Sequence, residues 1–139
     1  MPVPVADFLS RLNAERAILK EFVSQLEAEQ KILMQGDAEK LLGLSENKVR
    51  IAQELSTLIQ ARKNDLQAAG VKIGDGELIS WLRTNIPASL PVWQEILKLA
   101  EQLQYLNSTN GTLIQARLRH NQQALSVLHN AANSTHGLY

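Results

Sequence analysis

Cysteine is absent from this 139-residue chain, which excludes disulfides, thiolate metal sites and thiol catalysis together and fits a reducing compartment. Charge excess of either sign is missing too. Lysine plus arginine equals aspartate plus glutamate at 14 each, so there is no surplus to neutralise phosphates and none to form a solvating acidic tail. Aromatic residues make up only 4%, too few for a sheet-rich core or for the ring-walled pockets that hold small molecules. No apolar run is long enough to span a bilayer. The N-terminal Met1-Pro2-Val3-Pro4-Val5 lacks the basic start and unbroken apolar stretch of a signal peptide. These absences predict a soluble, cytoplasmic chain forming one domain.

What is plentiful is leucine, alanine, glutamine and glutamate, residues that favour helices. Val5, Leu12, Leu19, Leu26 and Leu33 recur every seven residues, with Phe8, Leu9, Phe22 and Val23 between them, the seam of one long helix. Gly36 supplies a left-handed stop and Asp37 an N-cap for the next helix. That second helix carries Leu41, Leu44, Ile51, Leu55, Leu58 and Leu66 and ends at Ala69 before Gly70. Each helix holds roughly 30 residues, about 45 Å at 1.5 Å per residue. Two such neighbours joined by a short turn form an antiparallel hairpin.

Gly70, Gly74 and Gly76 mark a loop, and Asp75 is placed to cap a short helix with Leu78, Ile79, Trp81 and Leu82. Ile86-Pro87 and Leu90-Pro91 interrupt the pattern. Trp93, Ile96, Leu97, Ala100, Leu103, Ile114, Ala124, Leu125 and Leu128 restore it as a third long helix. Asn110-Gly111 would turn a hairpin between strands, but none flank it. A continuous helix is the expectation there, with a kink between Asn107 and Gly111 as the alternative. The expected fold is all-α: an antiparallel, coiled-coil-like bundle of three long helices plus one short helix. Residues 5–69 form the hairpin, 70–89 the loop and short helix, 90–132 the third long helix and 133–139 a flexible tail.

Catalytic chemistry finds no foothold in the sequence. His120, His129 and His136 have no histidine or carboxylate three or four residues away, as helix-borne metal ligands and general bases require. No Glu-x-x-His pair suggests a di-metal bundle. The glycines have no Walker lysine, and no serine sits in a nucleophile elbow. No cofactor and no enzyme activity are expected.

Polar residues on the apolar seams are more informative. In a hairpin turning at Gly36, Arg62 comes level with Glu15, and Lys48 with Glu27 or Glu29, pairs that fix register more than they add stability. The third helix places Asn107, Asn110, Arg117 and Asn121 on its seam. Buried without partners, each amide costs on the order of 1 to 3 kcal/mol. That seam is therefore expected to be solvated or covered by a partner. With Leu113, Ile114, Leu118, Leu125 and Leu128 nearby, the segment is a docking surface for another helix; a frayed terminal helix is the alternative.

The run Leu106-Asn107-Ser108-Thr109-Asn110-Gly111-Thr112-Leu113-Ile114, then Arg119-His120-Asn121-Gln122-Gln123-Ala124-Leu125-Ser126-Val127-Leu128, and finally Leu138-Tyr139, resembles the C-terminal region of the FlgN family of flagellar type III export chaperones. Ala28-Glu29-Gln30, Gly36, Lys48 and Trp93 add to the resemblance. It implies an all-helical cytoplasmic chaperone that binds the hook-associated proteins FlgK and FlgL and escorts them to the export gate. It assigns client contact to the C-terminal helix, here Asn107, Asn110, Leu113, Ile114, Arg117, Leu118, Asn121, Leu125 and Leu128. Tyr139 matches the tyrosine implicated in docking on the export-gate protein FlhA. A structural coiled-coil or adaptor protein that self-associates through the same seams is the competing reading.

Overall fold

The computed structural model describes residues 5–71 and 75–119. Four helices follow in order: α1 Val5–Gln35, α2 Ala38–Ala68, α3 Asp75–Asn85 and α4 Ser89–Leu118. The described residues contain no strand. The all-α expectation of three long helices and one short one holds.

The leucines Leu12, Leu19, Leu26 and Leu33 are all buried, so the seven-residue period does mark the inward face of α1. Val5 opens the same series but stays half exposed; core packing begins one turn later at Phe8. Leu97 is likewise in helical phase yet exposed, on the outward side of α4.

Gly36 ends α1 at φ 78°, and its N–H and that of Asp37 both reach back to the Ile32 carbonyl, closing the helix with a left-handed residue. Asp37 takes the N-cap position of α2, but its side chain makes no capping bond. It lies instead 3.4 Å from Lys40 Nζ. Gly70 repeats the device at φ 76°, with Val71 N–H bonded to Leu66 O. Asp75 is the first residue of α3 rather than its cap. Pro91 falls in the first turn of α4, where its missing N–H costs nothing.

Cross-helix pairs give the topology. Glu15 meets Arg62 and Glu29 meets Lys48, so α2 runs antiparallel to α1. Arg16 meets Glu95 and the Leu33 carbonyl meets Arg117, so α4 runs parallel to α1. The central helix α1 packs against both α2 and α4, and α3 packs on α4. Successive long helices thus alternate in direction, and the 70–88 connection stays at the α1 N-terminal end, where the edge-to-face pair Phe8–Trp81 closes the core at 5.8 Å between ring centres.

The interior holds two apolar clusters. The larger extends from Phe8 and Leu82 through Phe22, Leu55 and Ile96 to Leu26, Leu103 and Leu106. The smaller, at the turn end, is Leu33, Leu41 and Ile114 flanked by Ile32 and Leu113. Polar side chains fill the space between them.

Candidate functional site

Three polar nodes tie the bundle together, and each draws on residues that the apolar pattern alone leaves unexplained. The first lies in the trunk. Arg62 Nε donates to Glu15 Oε1 at 3.0 Å and its NH2 to Oε2 at 3.3 Å, while its guanidinium carbon stands 4.8 Å from the centre of the Trp93 ring. One side chain on α2 thereby joins carboxylate on α1 and indole on α4, a cation held by hydrogen bonds on one side and a π face on the other.

The second node divides the two apolar clusters. Lys48 is wholly buried, and its ammonium lies 3.3 and 3.4 Å from the two Glu29 oxygens. Burial pushes the Lys48 pKa down from 10.5, opposed by the charge and hydrogen bond of Glu29. The Asn110 amide of α4 donates to Glu29 Oε1 at 3.0 Å and to the Leu26 carbonyl at 2.8 Å. Gln25 extends the layer, donating to Leu44 O and accepting from Asn47. Two acceptors remain unmatched: Oδ1 of Asn107 and of Asn110 are buried without a hydrogen-bond partner.

The third node is at the turn. Helix α1 has no basic residue in its last turn, and α4 supplies one. Arg117 Nε donates to Leu33 O at 3.1 Å and its NH2 to Met34 O at 3.4 Å, placing a cation at the negative end of the α1 dipole. A Cβ on Gly36 would stand 3.1 Å from this guanidinium, so the glycine serves both the backbone turn and the close approach.

The seam of α4 is therefore neither solvated nor awaiting a partner as far as Arg117. It is covered by α1, whose Leu26, Leu33 and Met34 carbonyls and Glu29 carboxylate accept from Asn110 and Arg117. Asn107, Asn110 and Ile114 are buried, and Leu113 and Arg117 are partly buried. Backbone helix runs unbroken through Asn110 and Gly111 to Leu118, without the kink held open as an alternative. Asn121, Leu125, Leu128 and Tyr139 lie outside the described residues, as does the expected stretch of helix to residue 132; so do the three histidines.

At the trunk surface, Glu95 of α4 is held by Lys20 and Arg16 of α1 at 3.1 and 3.0 Å. The Lys20 hydrogen bond is the larger influence keeping its carboxyl below the ordinary value. Arg50 joins Glu21 on α1 to Glu54 on its own helix. Among the described residues no cluster of potential metal ligands occurs, and no helix is long and apolar enough to cross a membrane.

This arrangement defines a helical bundle held in register by interior polar nodes. The family model described as FlgN protein matches residues 1–139. The chain belongs to the FlgN family, whose relatives act in flagellum biogenesis. It is 32% identical over 130 residues to a protein of Yersinia enterocolitica named flagella synthesis protein FlgN, covering 92% of this chain and 80% of that one. A protein of the same name from Yersinia enterocolitica serotype O:8 / biotype 1B matches at the same identity and coverage. No solved structure matches the chain.

Proposed function

We propose that this protein is a cytoplasmic export chaperone that binds the hook-associated proteins FlgK and FlgL and brings them to the flagellar export gate, with FlhA as the gate component. The observation that carries this reading is the register of α4 on the hairpin. Arg117 lies level with Leu33 and Met34, so the seam offered by α1 is used up where the described part of α4 ends. Residues 107–117 anchor the helix at the turn end of the hairpin, and Asn121, Leu125 and Leu128 follow that anchor in sequence. Client contact is assigned to that segment and to the adjoining Leu113 and Leu118. Gate docking is assigned to Tyr139.

Family membership over the whole chain supports the reading, as does a helix-on-helix mode in which a client's amphipathic terminal helix is shielded before assembly. The test is removal of residues 120–139, which spares every node described above. The shortened protein is expected to keep the helices described above and its melting behaviour while losing capture of FlgK and FlgL in a pull-down; equal capture would sink the assignment.

A further inference from the structure

The two ends of the bundle are built differently. From Phe8 to Leu106 the interior is one large apolar cluster with aromatic contacts, and the polar pair within it, Glu15–Arg62, is doubly hydrogen-bonded. Beyond the Glu29–Lys48 layer, Leu33, Leu41 and Ile114 are the only fully buried apolar residues among the described residues. The two unmatched amide oxygens, of Asn107 and Asn110, lie at this boundary. Two glycines weaken helices near the same end without any packing need: a Cβ on Gly43 in α2 or on Gly111 in α4 would meet nothing within 4 Å. Few apolar contacts, unmatched buried acceptors and helix-weakening residues gathered in one region mark a unit that opens separately from the rest.

We propose that the last three turns of α4, from Asn107 to Leu118, detach from the hairpin as a unit while the trunk stays closed, and that the groove so opened takes a partner's amphipathic helix in their place. The groove states the chemistry of its occupant. Its walls are Leu26, Leu33 and Leu41, and the groups to which α4 donates are acceptors: the Glu29 carboxylate, already shared with Lys48, and the carbonyls of Leu26, Leu33 and Met34. They lie toward the negative end of the α1 dipole. The matching helix carries donors, an amide followed seven residues later by a cation, with an apolar residue between them, as Asn110, Ile114 and Arg117 do. The proposal rests on the chaperone reading only for the natural source of that helix.

The cysteine-free sequence allows a direct test. In Leu33→Cys/Ile114→Cys, oxidation staples α4 to α1 within the small cluster, and reduction releases it. In the free wild-type chain, amides of 107–118 are expected to exchange faster than those of 92–104, and oxidation should remove the difference. A labelled peptide of residues 103–118 is the probe. It is expected to bind the wild-type and reduced chains and to lose roughly tenfold or more in affinity for the oxidised one, because the competent state is then withheld. Gly43→Ala/Gly111→Ala, which needs no disulfide, should slow exchange in 107–118 and weaken peptide binding. Uniform protection along α4, or a peptide that binds both redox forms alike or neither, would overturn the gate. Client capture, measured in parallel on the reduced chain, separates the two ideas: its loss with peptide binding intact strikes the chaperone reading and leaves the gate standing.

Discussion

Arg62 and Glu15, 47 residues apart in sequence, form a buried two-bond ion pair between α2 and α1. Both side chains are almost completely removed from water, so each charge depends on the other. Breaking such a pair from one side leaves an uncompensated buried charge and typically costs about 3 to 5 kcal/mol, whereas replacing both partners with apolar residues is often neutral. Glu15→Leu is therefore expected to lower the urea midpoint strongly, and Glu15→Leu/Arg62→Met to recover most of the loss with an unchanged denaturant slope. A double variant as unstable as the single one would mean that the pair is not the source of the effect.

The Lys48–Glu29 pair adds a pH dependence. Burial lowers the Lys48 pKa in the folded chain below its ordinary 10.5, so between the two values the unfolded chain binds more protons at this site. Its contribution to stability therefore increases as pH rises toward 10.5, the burial penalty being lifted when the ammonium deprotonates. Lys48→Met should be less stable at neutral pH, because Glu29 loses its counter-charge. It should also lack this rising component, and denaturant titrations across the alkaline range would show parallel curves for the two proteins if it is absent from the wild type.

The Arg62–Glu15 pair was legible in the sequence because one tight turn at Gly36 fixes the α1–α2 register; the same register brought Lys48 level with Glu27 or Glu29, and the structure selects Glu29. The periodic leucines of α1 were legible for a similar reason, since spacing alone assigns a face. Registration of α4 on α1 was not. The 70–88 connection is too long to dictate which turn of α4 meets which turn of α1, so Asn107, Asn110 and Arg117 looked like a polar seam in search of a partner. The one available signal was the absence of a basic residue from the last turn of α1, a vacancy that Arg117 fills. Val5 and Leu97 show the converse, because a residue in phase with the pattern is buried only where a neighbouring helix extends to cover it.

The glycines separate turn from helix energetics. Gly36 has φ 78° and sits against the Arg117 guanidinium. Gly36→Ala should cost about 1 to 2 kcal/mol for the left-handed conformation alone, with a further loss as Arg117 is displaced. Gly111→Ala should instead stabilise by about 1 kcal/mol, since the site is helical and open. Thermal unfolding of the two single variants should move in opposite directions; a shared direction would contradict the placement of one of them.

The client surface can be tested independently of bundle stability. Leu125→Asp lies beyond the described bundle, and Glu21→Lys provides a surface control, because Glu21 is exposed and meets the exposed Arg50 at 2.9 Å. Burying a leucine contributes about 1.5 to 3 kcal/mol, so Leu125→Asp should weaken binding of a hook-associated subunit by roughly tenfold or more in a calorimetric titration, while Glu21→Lys changes it little. Arg117→Ala discriminates further. If Arg117 acts through the Leu33 and Met34 carbonyls, its loss should lower the melting temperature of the free chain, whereas Leu125→Asp should leave that temperature unchanged. Equal binding losses for Leu125→Asp and Glu21→Lys would argue against a localised client site. A melting temperature unmoved by Arg117→Ala would instead free that arginine from its anchoring role and return it to the client surface.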